Sequence, residues 1–174
     1  MKIKTVVVGS LKTNCYFLIN DNKCLIIDPG EDVSNIIRED NLEVCGILIT
    51  HHHSDHDKFA KELSFLYKAL VYDFNNLFEG STELDGFKFK TIYTPGHSFD
   101  SVIFHFFDED VLFTGDFIFK GSIGRTDLES GDYKEMLNSI KKFKSLGLDP
   151  NTIIYPGHYD KTTLAYELMY NMYL

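Results

Sequence analysis

The stretch Thr50-His51-His52-His53-Ser54-Asp55-His56 decides the fold of this chain and most of its chemistry. It directly follows residues 44–49, an apolar and β-branched run that is typical of a buried strand, so the histidines stand in a loop at a strand end. A solvated polar loop or a purification tag would also be rich in histidine. The internal position, the interleaved aspartate and the preceding strand argue against those interpretations and indicate a metal site.

The spacing within this loop allows several side chains to meet. Alternate residues of an extended chain point to the same side, which lets His51, His53 and Asp55 converge. His56 departs from that alternation and needs a turn such as the start of a helix. Imidazoles at this density suit Zn²⁺ or Fe²⁺ better than Mg²⁺, which prefers oxygen ligands. We expect His52, which points the opposite way, to be structural or solvent-facing.

Three further segments end or follow apolar strands and carry the same types of ligand. They are Thr94-Pro95-Gly96-His97, Thr114-Gly115-Asp116 and Pro156-Gly157-His158. A glycine beside a ligand lets the backbone turn sharply at little steric cost. One Pro-Gly-His is also an ordinary exposed turn, but two of them with a Gly-Asp and the histidine cluster are hard to assign to chance.

Composition excludes several classes of partner. Lys and Arg number 17 against 26 Asp and Glu, so the 174 residues carry a net charge of −9, which opposes binding to nucleic acid phosphates or anionic lipid headgroups. Cys15, Cys24 and Cys45 form no C-x-x-C pair and indicate reduced thiols. The apolar start is broken by Lys12 before it could act as a secretory core, and no later stretch is apolar enough to cross a bilayer. We therefore expect a cytoplasmic protein without nucleic acid or membrane partners. The sequence does not indicate the number of subunits.

The order of elements predicts an α/β fold in one domain, 1–174. Strands are predicted at 3–8, 15–19, 25–27, 44–49, 87–93, 102–107, 111–114 and 152–155. Helices are predicted at 34–38, along Phe59, Leu63, Leu66 and Leu70, from a capping box at Asp132 and Glu135 to near Gly147, and at 163–173. The strands fall into two clusters, each followed by helix, which suggests two sheets packed face to face with helices outside. This pattern alone leaves other α/β and α+β arrangements open.

On these residues the chain resembles the metallo-β-lactamase superfamily, and within it the short, single-domain relatives of glyoxalase II (hydroxyacylglutathione hydrolase). Further matching motifs are Thr13-Asn14-Cys15-Tyr16, Ile27-Asp28-Pro29-Gly30, Gly121-Ser122-Ile123-Gly124-Arg125-Thr126-Asp127 and Asn171-Met172-Tyr173-Leu174. The resemblance implies an αββα sandwich of two mixed β-sheets with helices on the outer faces and the site at one edge.

The resemblance also implies a set of ligands and a reaction. The first metal would be held by His51, His53 and His97 and the second by Asp55, His56 and His158, with Asp116 bridging both. The cofactors would be two divalent metal ions, most simply zinc, with iron or manganese as alternatives, and Asp55 and Asp116 would be the catalytic carboxylates. A hydroxide between the metals would attack the acyl carbonyl of a small-molecule thioester linked to glutathione. The leaving thiol has a pKa of about 8.5, so no strong general acid is required.

Several positions depart from the family pattern or have two interpretations. Asp28 resembles the family's carboxylate behind the metal loop, but it also suits a plain turn. Arg125 stands where glyoxalase II has a lysine that contacts glutathione, yet it could equally form an internal ion pair within its turn. We expect Lys120 to be a solvated surface charge. The chain ends 174 − 158 = 16 residues after His158, so we expect it to lack the helical domain of glyoxalase II proper.

The candidate ligand residues distinguish this chain from members of the same superfamily with other activities. The zinc β-lactamases place a cysteine where this chain has Asp116, which argues against antibiotic hydrolysis. The alternative function is a persulfide dioxygenase, because Gly124-Arg125-Thr126-Asp127 also resembles that branch. Such an enzyme would hold one iron with His51, His97 and Asp116 and leave positions open for oxygen. A silent binding module is disfavoured because none of the ligand positions is lost.

Overall fold

The computed structural model describes residues 1–174 as two β-sheets stacked face to face, with helices on the outer face of each. The first sheet consists of neighbouring strands β1 (Lys2–Val8), β2 (Thr13–Asn20), β3 (Lys23–Ile27), β4 (Glu43–Leu48) and β5 (Leu70–Tyr72). The strand pairs from β1 to β3 are antiparallel, whereas β3, β4 and β5 run parallel. This sheet is covered by helices α1 (Ser34–Glu39) and α3 (Ala60–Tyr67), and the short helix α2 (Ser54–Asp57) follows the histidine loop.

The second sheet is also mixed. In chain order its strands are β6 (Gly80–Leu84), β7 (Phe87–Tyr93), β8 (Val102–Phe106), β9 (Val111–Gly115), β12 (Ile153–Pro156) and β13 (Thr162–Thr163), and only the β9 and β12 pair is parallel. The strands β10 (Ile118–Phe119) and β11 (Ser122–Ile123) form a separate small hairpin. Helices α4 (Tyr133–Ser145) and α5 (Leu164–Tyr170) contribute to the outer face.

Three apolar clusters hold these layers together. The cluster between the sheets is rich in aromatic rings, among them Phe89, Phe104 and Phe113. A second cluster lies between the first sheet and its helices, and a third joins the outer face of the second sheet to α4 and α5. Because helices cover the outer faces, β8 and β9 are buried on both sides and show no alternation of apolar and polar residues.

The predicted fold class is confirmed, and most predicted strands lie within two residues of the observed ones. Asp132 caps α4 by accepting a hydrogen bond from the Glu135 N–H. The helix predicted through Leu70 is wrong at its end. Lys68 has a left-handed φ of 54°, which ends α3, and Leu70 begins β5 with 67% of its surface exposed. None of the helices combines the length and the hydrophobicity that spanning a bilayer requires.

The topology brings the loops with candidate ligands to one edge of the sandwich. The backbone N–H of Val102 donates to the carbonyl of Thr50, which joins the histidine loop of the first sheet to the second sheet. The N–H of Asn14 donates to the carbonyl of Gly157, and the N–H of Gly157 donates to the carbonyl of Gly115. These bonds tie the histidine loop and the loop after β12 to strands of both sheets.

Candidate metal centre

The candidate ligands come from four strand ends. His51 and His53 follow β4 in extended conformation, and His53, with φ −86° and ψ 142°, is the residue from which α2 starts. The helical turn of α2 then redirects the chain and brings Asp55 and His56 toward the same point. The remaining ligands follow three strands of the second sheet: His97 follows β7, Asp116 follows β9 and His158 follows β12.

The seven side chains form two sets around one carboxylate. In the first set, the Nδ1 atom of His53 lies 3.1 Å from His51 Nε2 and 2.9 Å from His97 Nε2. In the second set, Asp55 Oδ2 lies 3.4 Å from the Nε2 atoms of both His56 and His158.

Asp116 stands between the two sets. Its Oδ2 atom lies 3.4 Å from His97 Nε2 and 3.5 Å from His158 Nε2, and its Oδ1 atom lies 3.4 Å from His56 Nε2. Asp116 thus faces one histidine of the first set and two of the second, so its carboxylate could contact a cation held by either set. Three groups of residues have ligand atoms that all lie within 4.8 Å of one another. The groups are His51, His53 and His97; His51, His56 and Asp116; and Asp55, His56 and His158.

Two buried atoms at the centre of this arrangement fit a bound cation. His56 Nε2 and Asp116 Oδ1 are both buried and have no hydrogen-bond partner. Buried polar atoms are nearly always paired, because an unpaired one costs about 1–3 kcal/mol. A cation between them would satisfy both atoms, and a set of imidazole nitrogens and carboxylate oxygens is the chemistry that Zn²⁺, Fe²⁺ and related ions prefer. The residues therefore fit a pair of divalent cations.

Contacts behind the cluster orient three of the histidines. His56 Nδ1 lies 2.9 Å from Asp28 Oδ2, His51 Nδ1 lies 3.1 Å from Thr50 Oγ1, and His97 Nδ1 lies 2.7 Å from the Arg125 carbonyl. Because these partners occupy the Nδ1 atoms, the Nε2 atoms of all three rings point into the cluster.

Asp28 combines the two interpretations that the sequence allowed. It occupies a turn with a left-handed φ of 52°, and its buried carboxylate accepts hydrogen bonds from the Thr50 N–H at 2.8 Å and the Thr50 hydroxyl at 2.6 Å as well as facing His56. Sequence reasoning missed Thr50 and also Thr13, whose hydroxyl donates to Asp55 Oδ2 at 2.7 Å. The available signal was position, since Thr50 directly precedes the histidine loop and Thr13 opens the Thr-Asn-Cys-Tyr motif.

The electrostatics of the cluster separate its histidines into two kinds. Burial, reinforced by the neighbouring His56, holds the pKa of His51 well below its usual value. Burial also opposes a charge on His56, but Asp28 and Asp116 outweigh it and raise the pKa of His56 to about 10. Burial raises the pKa of Asp116, yet the side chains of His158 and His56 that face it outweigh this effect and hold that pKa well below its usual range. The carboxylate is therefore ionised, and a cation bound at His56 would displace a proton.

Close backbone packing around the ligands requires glycine at two positions. A Cβ atom on Gly157 would lie 2.3 Å from Asp116 Oδ1 and 2.7 Å from a ring carbon of His56. A Cβ atom on Gly30 would lie 1.6 Å from the carbonyl oxygen of Asp55. The glycines of the Pro-Gly-His and Asp-Pro-Gly motifs are thus needed because other loops pass directly over them.

A cavity of about 680 Å³ opens beside the cluster. Its walls include five of the candidate ligands, an apolar side with Leu11, Phe119 and Tyr159, and a basic side with Lys120 and Arg125. This volume is in the range of small-molecule sites. Lys120 is exposed, in agreement with the predicted surface charge, and it also lines the cavity.

Arg125 also lines the cavity while it forms the internal ion pair that the sequence allowed. Its Nε atom donates to Asp127 Oδ1 at 2.6 Å and its Nη2 atom donates to Asp127 Oδ2 at 2.8 Å. These bonds lower the pKa of Asp127 to about 2. His52 points away from the cluster, as predicted, with its ring nitrogens 2.8 Å from Asp57 Oδ2 and 3.1 Å from Asp73 Oδ2.

Comparison with known proteins shows the family. The model of the metallo-beta-lactamase superfamily matches residues 8–72 and 57–158, which include all seven candidate ligands. The chain belongs to the metallo-beta-lactamase superfamily. Together with the stacked sheets and the covering helices, this confirms the predicted metallo-β-lactamase fold.

Members of this superfamily with similar sequences or structures cover the whole chain. A probable metallo-hydrolase of Bacillus subtilis, YqgX, is 34% identical over 207 residues that cover 100% of this chain and 98% of the relative. Hydroxyacylglutathione hydrolase GloC of Haemophilus influenzae is 32% identical, again covering 100% of this chain and 98% of the relative. The crystal structure of BLEG-1 B3 metallo-beta-lactamase superposes with a TM-score of 0.92 at 32% identity, covering 99% of both chains.

Proposed function

We propose that this member of the metallo-beta-lactamase superfamily is a dinuclear metal hydrolase that cleaves a glutathione thioester such as S-lactoylglutathione. The observation that carries the proposal is the position of Asp116, whose two carboxylate oxygens face both sets of histidines and include one buried atom without a partner. The similarity to GloC supports the choice of a glutathione thioester as the substrate.

Each candidate ligand has a role in this proposal. His51, His53 and His97 would hold one divalent cation, and Asp55, His56 and His158 would hold the other, with Asp116 between them. Such cations lower the pKa of bound water to about 7 and polarise an acyl carbonyl. We expect zinc, with iron and manganese as the alternatives.

The chain's own residues prepare this site for a thioester. Asp28 holds the proton on His56 Nδ1, so the Nε2 atom of that ring stays available as a ligand. Thr13 donates to Asp55 and fixes one of its oxygens. The apolar side of the cavity can receive the acyl group, and Arg125 on the basic side can contact the carboxylates of glutathione. A thiolate leaves with little protonation, so the proposed reaction needs no strong general acid.

Two other reactions are outcomes of the same test. The similarity to BLEG-1 B3 metallo-beta-lactamase makes β-lactam hydrolysis a second candidate, although Asp116 stands where the zinc β-lactamases have a cysteine. The persulfide dioxygenase alternative predicts one iron per chain rather than two metals.

The free thiols of Cys15, Cys24 and Cys45 support our expectation of a reducing compartment, the cytoplasm.

The experiment is elemental analysis of the purified protein combined with three assays at full metal content. They measure hydrolysis of S-lactoylglutathione, hydrolysis of a chromogenic cephalosporin, and oxygen uptake on glutathione persulfide. We expect two metals per chain and hydrolysis of the thioester with the highest kcat/KM. No thioester hydrolysis by protein that carries two metals would refute the proposal, and oxygen uptake by protein with one iron would establish the dioxygenase instead.

A further inference from the structure

The β10–β11 hairpin forms one wall of the cavity. It carries Lys120, the positively charged side chain of this cavity that is most available to a ligand. Lys120, Ser122 and Ile123 of this hairpin line the cavity. Arg125, the other cation of the wall, is already engaged by both oxygens of Asp127. Lys120 takes part in no ion pair, and its ammonium group lies 5.8 Å from the centre of the Tyr166 ring. Lys120 is therefore free to meet an anionic group of a ligand.

Helix α5 holds this hairpin through a buried carboxylate. Glu167 is 0% exposed and has no cationic partner. Its Oε2 atom accepts a hydrogen bond from the Gly121 N–H at 2.9 Å, and its Oε1 atom accepts one from the Thr162 hydroxyl at 2.6 Å. Burying a carboxylate is costly unless hydrogen bonds satisfy it. An apolar residue would serve the core better at this position, so the placement of Glu167 needs a reason outside core packing.

Asn171 extends the same attachment to the next residue of the hairpin. Its Nδ2 atom donates to the carbonyl of Ser122 at 2.9 Å and to Glu167 Oε2 at 2.8 Å. The N–H of Gly121 and the carbonyl of Ser122 belong to the two residues that directly follow Lys120. The two side chains thus fix the backbone on which Lys120 stands, and the Tyr166 ring of α5 lies next to the lysine itself.

We propose that Lys120 recognises a carboxylate on the thiol portion of the substrate and that Glu167 and Asn171 are positioning residues which hold Lys120 toward the cavity. This inference rests on the proposed function, because it assigns the subsite for the anionic part of a thioester. A side chain on a fixed backbone loses less conformational freedom when it binds, so the attachment to α5 strengthens recognition without touching the reacting atoms.

The kinetic test compares an anionic and a neutral thioester. For Lys120→Ala we expect a five- to tenfold higher KM for S-lactoylglutathione, with kcat within twofold and less than a twofold change for neutral N-acetyl-S-acetylcysteamine. Lys161→Ala is the matched control, because the Lys161 ammonium group also lies 5.8 Å from a tyrosine ring, that of Tyr155, but does not line this cavity. An equal rise in KM for both thioesters, or no rise, would overturn the role of Lys120.

Positioning is tested by a double-mutant cycle. Glu167→Ala should raise the KM for the anionic thioester three- to tenfold in the wild-type background but by less than twofold in Lys120→Ala. Glu167→Gln should restore the wild-type KM, since its amide oxygen can accept from Gly121 and Asn171 while its nitrogen donates to the Thr162 hydroxyl. If the Glu167→Ala and Lys120→Ala effects multiply, Glu167 does not act through Lys120 and the inference fails.

Hydrogen exchange gives a readout that does not depend on activity. Glu167→Ala and Asn171→Ala should both speed amide exchange at Gly121, whereas Leu164→Ala, which removes a buried core residue of the same helix, should not do so selectively. Asn171→Ala serves as the variant near the chain end if Glu167→Ala does not fold. Unchanged exchange at Gly121 in Asn171→Ala and Glu167→Ala would refute the attachment. A wild-type protein without thioester hydrolysis would refute the proposed function while the exchange result still decides the positioning role.

Discussion

Replacing Asp28 with asparagine should weaken metal binding although Asp28 is not itself a candidate ligand. Its Oδ2 atom accepts from the Thr50 hydroxyl at 2.6 Å and faces His56 Nδ1 at 2.9 Å. The Thr50 hydroxyl, having donated its proton, can only accept from His51 Nδ1 at 3.1 Å. One carboxylate therefore directs the Nε2 lone pairs of both His56 and His51 into the cluster.

Asparagine at this position keeps the shape and reverses the polarity. Its oxygen would continue to accept from the Thr50 N–H, so its NH₂ group would stand where Oδ2 now lies and would face the His56 Nδ1–H. His56 could relieve that conflict only by moving its proton to Nε2, the atom that a metal needs. Loss of one hydrogen bond to a charged group costs about 1.5–3 kcal/mol, which agrees with the 10- to 100-fold loss of affinity typical of such supporting residues.

The assay is a titration of divalent metal into chelator-treated protein. Binding is measured by isothermal calorimetry or by competition with a chelator. We expect Asp28→Asn to weaken binding 10- to 100-fold, and Thr50→Val to weaken chiefly the cation held by His51. Asp85→Asn, at an exposed carboxylate that pairs only with Lys23, is the control and should bind like wild type. Asp28→Asn protein with both metal affinities within twofold of wild type would refute the reasoning.

Three further changes test other parts of the site and fold. His53→Ala should abolish hydrolysis while circular dichroism stays that of wild type, and wild-type turnover at full metal content would contradict the assignment. Gly157→Ala places a Cβ atom 2.3 Å from Asp116 Oδ1, so we expect loss of one metal and a stability cost of about 1–3 kcal/mol in urea unfolding. Burial, with Lys90 nearby, lowers the pKa of His105 below its unfolded value, so protonation favours the unfolded chain and stability falls as the pH drops through about 6.5. His105→Gln should reduce that loss between pH 7.5 and pH 5.5, and an unchanged slope would exclude His105 as its source.

The sequence predicted the central strands of the fold better than its edges. Each candidate ligand follows an apolar strand, and strands of this composition are recognisable because β-branched and aromatic residues pack well on pleated sheets. The strands β5, β6, β10, β11 and β13 were not predicted. Four of them have three residues or fewer, and the fifth, β6, carries polar side chains at a sheet edge.

Residues that support the site were harder to predict than the ligands. Glu167 lies on a short helix whose pattern suggests an ordinary exposed carboxylate, and only the fold shows that it faces Gly121. The same holds for Thr13, which reaches Asp55 from 42 positions away along the chain. Hydrogen bonds of this separation leave no periodicity in a single sequence. The single domain over 1–174 stays a prediction.

The loops that carry the ligands are joined to each other by backbone bonds rather than by the ligands alone. Gly157 donates to the carbonyl of Gly115, Val102 donates to the carbonyl of Thr50, and Asp132 donates to the carbonyl of Gly96. Each bond fixes a residue next to or near a candidate ligand through main-chain atoms, and the close packing of the loops requires glycine at position 157. The ligand positions are therefore set by the sandwich edge, while side chains such as Asp28 set the direction in which the ring nitrogens face. Separate control of position and direction explains why the ligand motifs stand out in the sequence, whereas the residues that orient them become visible only in the folded chain.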